Sequence, residues 1–397
     1  MKNILKKAHA ALTFPKVTYD VLKVFSVERA NRFMLAKTNR VAPLTLPAGI
    51  VIRCTERCFL KCKMCGQNGL SGRLKGTDAS ERMRVPDVVY ERLAEEIPTW
   101  PIKPMVKVTG GEPLLEWNVL RPFFTTLSKA GCCIKLNSNG MLLKSKKLAE
   151  EVVKAGVHYL SVSIDGDEAT HNAIRGYHNA YQVTQKGIAN VLEARKKYNS
   201  PYPMILLSCV LSTENQDKLP EMSRVAKEMG ADWLNLQFLN YLTPQRTLAA
   251  HNIAKSKFGI EEKPWEGFEI PDLTKIDCDL MSRNLEKVKK EAPCPVSVMK
   301  IGGTDPKSLH RFHYTDDIIK NHICHMPFTY AFIVPQGKSV FCIDYPYYFY
   351  GDLRKEKLSE AWQGEKATKF REQYVKHFKE NGKVFPMCIR CNWPYNS

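Results

Sequence analysis

Residues 49–65 read GIVIRCTERCFLKCKMC: a β-branched run, then a loop that spaces Cys58, Cys62 and Cys65 as C-x3-C-x2-C. The run predicts a strand over residues 49–54. Three thiolates on so compact a loop can hold three irons of a cubic [4Fe–4S] cluster, because soft sulfur ligands suit iron–sulfur chemistry. No fourth cysteine follows at regular spacing, so one iron would be left open to a small-molecule ligand. A structural zinc loop is the competing reading. Zinc wants a fourth ligand nearby, and no Cys or His follows Cys65 until far downstream. Cys54, at the strand's end, reads as a buried, apolar-like cysteine.

Outward from this stretch the pattern repeats. Strands are expected at MVKVT (105–109), CIKLNS (133–138), YLSVSID (159–165), ILLSCVLS (205–212) and WLNLQFL (233–239), with amphipathic segments between them. Three of those segments end at Gly131, Gly156 and Gly230, which suits helix C-caps. The strands read as mostly apolar throughout, as in a parallel sheet covered by helices. The expected fold is α/β: a partial (β/α)6 TIM-like barrel with chemistry at the strands' C-terminal ends, and a small C-terminal cluster-binding domain. The expected divisions are a basic amphipathic extension (1–45), the barrel (46–242), an irregular connector (243–320) with a helix near RNLEKVKKEA, and the cluster domain (321–397).

Composition narrows the function classes. With 397 residues, 44% hydrophobic and 25% charged, the chain has neither a disordered nor a fibrous profile. Thirteen cysteines and no apparent secretory leader argue against a disulfide-stapled extracellular protein. No apolar run is long enough to span a bilayer. The expected setting is cytoplasmic, where thiols stay reduced. The net charge is +18, and residues 1–45 carry nine Lys/Arg against only Asp20 and Glu28. Two amphipathic helices there could rest on an anionic membrane surface, peripheral to the inner face, bringing the protein to a lipid-linked substrate. Alternatively they pack across the open barrel with their lysines solvated.

Gly110-Gly111-Glu112-Pro113 follows the second strand, and SVSIDGDEATHNAIRG (161–176) spans the end of the fourth strand and the segment after it. Together with C-x3-C-x2-C, these resemble the radical S-adenosylmethionine (radical SAM) superfamily. The resemblance implies that Cys58, Cys62 and Cys65 ligate the cluster that binds S-adenosylmethionine. It implies that the GGEP backbone and Glu112 hold the methionine amino group. Ser163 and Arg175 would touch its carboxylate and ribose, with Asp165 at the strand tip. Met64 stands where many relatives have an aromatic, and could pack on adenine.

Cys324, Cys342, Cys388 and Cys391, with Gly337-x4-Cys342 and Cys388-x2-Cys391, resemble the SPASM/twitch extension. Only four cysteines match, so one auxiliary [4Fe–4S] cluster is implied. A zinc site is the alternative that four thiolates would also serve. Cys132, Cys133 and Cys209 read as core residues, and Cys278 and Cys294 as spectators.

The resemblance implies a reaction: an external one-electron reductant such as flavodoxin or ferredoxin, reductive cleavage of S-adenosylmethionine, and a 5′-deoxyadenosyl radical that takes hydrogen from an unactivated carbon. Asp344 is the candidate general base of an oxidation, with Asp352 competing. The expected substrate is a carbohydrate-type or anionic small molecule, oxidised or epimerised. A ribosomal-peptide-modifying maturase and an RNA-modifying enzyme are the alternatives, with nucleic acid the disfavoured partner.

Overall fold

The computed structural model describes residues 2–38, 41–69, 72–239, 242–261, 267, 269, 276–299, 301–315, 324–342 and 348–381. Its centre is one sheet. Strands β1 (Gly49–Arg53), β2 (Met105–Thr109), β3 (Cys133–Ser138), β4 (Tyr159–Ser163), β5 (Met204–Leu211) and β6 (Trp233–Phe238) pair in parallel in chain order. These are the six expected strands, each within a residue or two of its predicted bounds. β7 (Val296–Val298) adds to β6, and β8 (Tyr330–Val334) pairs in parallel with the free side of β1. β9 (Lys338–Val340) and β10 (Gly351–Asp352) continue antiparallel beyond β8. The sheet does not close, so a partial barrel is what the chain forms.

Helices α1 (Lys2–Thr13) and α2 (Pro15–Lys37) precede the sheet. α3 (Asp87–Glu96), α4 (Trp117–Lys129), α5 (Lys146–Lys154), α6 (Glu168–Arg175), α7 (Ala180–Lys197) and α8 (Glu221–Glu228) connect its first six strands. α9 (Pro244–Phe258), α10 (Cys278–Glu291), α11 (Pro306–Tyr314), α12 (Met326–Thr329), α13 (Leu358–Gln363) and α14 (Glu365–Asn381) come after β6. The glycines after α4, α5 and α8 all adopt positive φ, as their C-cap reading requires.

Three expectations change. The segment read as irregular connector supplies α9, α10, α11 and β7; three residues after Pro295 are too short to carry a strand pattern. The C-terminal segment, read apart from the barrel, contributes β8 to the same sheet through β1. Nor are the strands apolar throughout. Val106, Val108, Ile134 and Leu136 are fully buried under the helices, in the core that also holds Phe124, Leu127, Val152 and Ile188. The alternate residues Lys107, Thr109, Lys135, Asn137, Ser208, Asn235 and Gln237 are half-buried and face the lumen.

α1 and α2 lie across the N-terminal ends of the strands. Phe14 and Val17 pack on Cys133 and Met204, the first residues of β3 and β5. Asn3 pairs by its side-chain amide with both backbone groups of Val296 on β7 (3.1 and 3.0 Å). The opposite, C-terminal mouth carries the cysteine loop.

Candidate functional site

The loop after β1 is braced on three sides. Cys54 N–H donates to Thr109 O at 2.7 Å, Gly111 N–H to Thr55 O at 2.7 Å and Glu112 N–H to Arg57 O at 2.8 Å, so the loops after β1 and β2 are zipped together. A Cβ on Gly111 would stand 2.1 Å from Arg57 O, and Gly110 has φ +153°. The two glycines therefore admit the cysteine loop's own backbone, a demand present before any ligand arrives. Glu56, 1% exposed, accepts from Arg73 (2.5 Å) and from Met83 N–H (3.1 Å). Lys63 N–H donates to Ile174 O at 2.9 Å, tying the loop to the end of α6.

Cys58, Cys62 and Cys65 pack together with Leu60, Met64, Met141 and Ala180. Each sulfur receives one N–H donor. Leu60 N–H points to Cys58 Sγ at 3.5 Å, Asn68 N–H to Cys65 Sγ at 3.4 Å, and Arg175 Nη1 to Cys62 Sγ at 3.6 Å. Burial pushes the Cys58 thiol up to about 12. It pushes Cys62 up as well, against the pull of Arg175. Among the described residues no three His, Cys, Asp or Glu side chains converge on one point fit for a single metal ion. A cubane asks for something else: each thiolate meets a different iron, and N–H donors to sulfur set its potential. Three soft donors on one loop, each with an N–H, fit such a cluster.

Glu112 is fully buried, and burial raises its pKa. Its Oε1 accepts from Leu114 N–H (3.0 Å) and the Ser138 hydroxyl (2.8 Å), and its Oε2 from Asn139 N–H (2.8 Å). The carboxylate thus joins the ends of β2 and β3. Pro113 opens the short 3-10 turn after it. Close by, Asn137 Oδ1 and Asn139 Nδ2 are buried without a partner among the described residues, which leaves polar atoms for a ligand.

Asp165 is also fully buried. Arg175 Nη2 lies 2.6 Å from its Oδ2, and Val210 N–H donates to its Oδ1 at 3.1 Å. Its own N–H donates to His171 Nδ1 (3.2 Å), and burial holds that imidazole's pKa well down. Ser163 ends β4, half-buried on the lumen face.

Sequence reasoning missed the floor beneath this mouth. Lys107 and Lys135 are direct neighbours across β2 and β3, and Arg53 lies one pleat nearer the mouth beside Thr109. Burial, and then Lys135, lowers Lys107 to about 7. Burial lowers Lys135 as well, and its ammonium lies 5.1 Å from the centre of the Tyr159 ring. The available signal was a lysine at the middle of each of MVKVT and CIKLNS. Beside Cys58 a surface cavity of about 350 Å³ opens, lined among others by Phe59, Lys61, Lys75 and Arg82.

Toward the C-terminus, Cys324 and Cys342 both pack against the main core. Cys324 N–H donates to Tyr374 Oη at 2.8 Å, and burial pushes its thiol up to about 11. Cys388, Cys391 and Asp344 lie outside the described residues. Asp352 pairs with Arg354, which holds its carboxyl down to about 2. Cys132, Cys133 and Cys209 are fully buried.

Comparison with known proteins bears on these features. The description "Radical SAM superfamily" matches residues 52–226, and "Iron-sulfur cluster-binding domain" matches residues 324–392. Among curated relatives, a pre-heme d1 synthase from Dinoroseobacter shibae is 27% identical over 209 residues, 51% of this chain and 46% of that protein. This chain therefore spans less than half of that relative's length. A tungsten-containing aldehyde ferredoxin oxidoreductase cofactor-modifying protein from Pyrococcus furiosus is 22% identical over 351 residues, 86% of each chain. Among solved structures, Streptococcus suis SuiB bound to S-adenosylmethionine superposes with a TM-score of 0.53 at 15% identity, covering 81% of this chain and 66% of that one. That likeness shows a shared fold.

Proposed function

The chain belongs to the radical SAM superfamily, with an iron–sulfur cluster-binding domain toward its C-terminus, and from that premise we propose that it takes hydrogen from an unactivated carbon of an anionic small molecule held in the barrel lumen. Its cofactors are [4Fe–4S] clusters and S-adenosylmethionine. When bound, they supply a 5′-deoxyadenosyl radical.

In this reading Cys58, Cys62 and Cys65 hold the first cluster, and Cys324, Cys342, Cys388 and Cys391 an auxiliary one. Gly110, Gly111 and Pro113 shape the loop against which S-adenosylmethionine lies. Glu112 acts by aiming Asn139, whose free Nδ2 is a donor for the ligand. Ser163 faces the lumen. Asp165 orients Arg175 toward Cys62. Asp344 is the proposed base that takes a proton as a substrate is oxidised; epimerisation would need a hydrogen donor in its place. A one-electron donor such as flavodoxin or ferredoxin would approach Cys58, where Lys61, Lys75 and Arg82 favour an acidic surface.

The observation that carries the reading is the three-sulfur loop, one N–H per sulfur, above a lumen that holds Lys107 and Lys135. The paired lysines favour an anion over a neutral sugar. The relatives' names, a heme-precursor synthase and a cofactor-modifying protein, support a small molecule over a peptide. The test is anaerobic reconstitution with iron and sulfide, then reduction with S-adenosylmethionine. About eight irons per chain and formation of 5′-deoxyadenosine are expected. Cleavage that survives replacement of Cys58, Cys62 and Cys65 together would end this reading.

A further inference from the structure

Helix α2 carries acidic and amide side chains within its buried stripe. Its inward stripe contains Asp20, Glu28 and Asn31, all buried, interleaved with Val17, Val24 and Leu35. Asp20 is held by Lys16 and Lys23. Glu28 accepts from Tyr330 Oη at 3.0 Å and stands 3.3 Å from His325 Nε2. Asn31 donates to Phe328 O at 2.8 Å. An ordinary surface helix turns its apolar stripe inward and its charges out. Here both acidic groups of residues 1–45 are consumed inside, so the outward face of the helix pair displays no acid.

What it displays instead is apolar and basic. Of the sixteen large hydrophobic side chains exposed among the described residues, eight lie between residues 4 and 33. Ile4, Leu5, Leu12, Tyr19, Leu22 and Phe33 are each 59–82% exposed. Lys7, Arg29 and Lys37 are exposed among them. Isolated exposed hydrophobics need no explanation, but half of them gathered on two contacting helices do.

We infer that this face docks on the surface of a lipid bilayer bearing anionic headgroups. Apolar side chains enter the headgroup boundary while Lys and Arg meet the phosphates. Charge selects this occupant over a second copy of the chain, because two such faces would set like charges against each other. No helix among the described residues is long and apolar enough to cross a membrane, so the contact is peripheral. The geometry also sets the orientation. α1 and α2 cover the N-terminal ends of the strands, and the cysteine loop lies past their C-terminal ends. A docked molecule turns its cluster mouth toward water. Docking therefore places the protein at a membrane while its substrate and electron donor arrive from the aqueous side, and a substrate embedded in the same bilayer is disfavoured. Membrane docking of this face is independent of the chemistry at the mouth.

The test is co-sedimentation of the full chain with vesicles of phosphatidylcholine alone or with 30 mol% phosphatidylglycerol, about a third anionic lipid. The parent should pellet with the anionic vesicles and stay in solution with the neutral ones, and salt should weaken the binding. L12S/L22S/F33S alters only exposed positions and should bind at least about tenfold more weakly, with unchanged circular dichroism. R29E/K37E should lose the preference for anionic lipid. Equal binding by parent and triple variant, or equal binding to both vesicles, would overturn the inference. So would a parent that is dimeric by light scattering, ignores vesicles, and becomes monomeric in the triple variant.

Discussion

Arg175 reaches Cys62 from the end of α6: its Nη1 donates to the sulfur at 3.6 Å while its Nη2 lies 2.6 Å from Asp165. Of the three sulfur donors, it is the only side chain; Cys58 and Cys65 receive backbone N–H groups from their own loop. The ionic pair is buried, so neither member can be removed without leaving the other uncompensated.

Arg175→Met should therefore lower stability by about 3–5 kcal/mol, read from the urea midpoint. D165N/R175M should lose clearly less than the two single losses added, since it leaves no lone buried charge. In reconstituted protein, R175M should also move the cluster's reduction potential in the negative direction, followed by redox titration with electron paramagnetic resonance. An unchanged potential would confine Arg175 to a structural role.

Gly111→Ala forces a Cβ to within 2.1 Å of Arg57 O. The loops after β1 and β2 must then part, at a cost on the order of 1–3 kcal/mol. The expected result is a lower iron content after reconstitution with little change in circular dichroism. Full iron loading at an unchanged midpoint would show that the two loops need not be zipped.

Lys107 and Lys135 should make the lumen a site for anions. Citrate, at ionic strength matched with chloride, should raise the melting temperature of the parent by about 2–4 °C and that of K107M/K135M much less. An equal rise in both would place the anion elsewhere.

His158 supplies a pH dependence. Its Nδ1 accepts from Ile134 N–H at 3.2 Å, and burial, with Lys16 nearby, pushes its pKa down to about 4. Between pH 4 and 6.5 the folded protein then binds fewer protons than the unfolded chain, so stability rises with pH and is lost on acidification, by up to about 3 kcal/mol. His158→Asn keeps an acceptor for Ile134 and has no such titration. Its urea midpoint should fall less between pH 6.5 and 4 than that of the parent. Parallel curves would assign the acid sensitivity to other groups.

How much was legible can be traced residue by residue. The six central strands, the positive-φ glycines and the loop holding Cys58, Cys62 and Cys65 stand in the sequence because alternation, helical period and C-cap chemistry act over a few residues. β7 and β8 did not stand out, since three residues after Pro295 and an isolated YAFIV become strands only through neighbours already in the sheet. Glu112 reads in the sequence as a ligand for an ammonium; that it also accepts from Leu114 N–H, the Ser138 hydroxyl and Asn139 N–H emerges only from the pairing of β2 with β3.

The sequence by itself determined the cysteine spacing, the β/α alternation, and therefore the family and its cofactors. Only the tertiary structure decided that Lys107 lies beside Lys135, that Arg175 bears on Cys62, and that α2 turns Asp20 and Glu28 inward while leaving Tyr19, Leu22 and Phe33 outside. The reason is range. Secondary structure follows from interactions along the chain, whereas lateral register and the docked face of a helix depend on partners far away in the sequence. Cys62 and Arg175 are 113 positions apart, and Asn31 and Phe328 are 297.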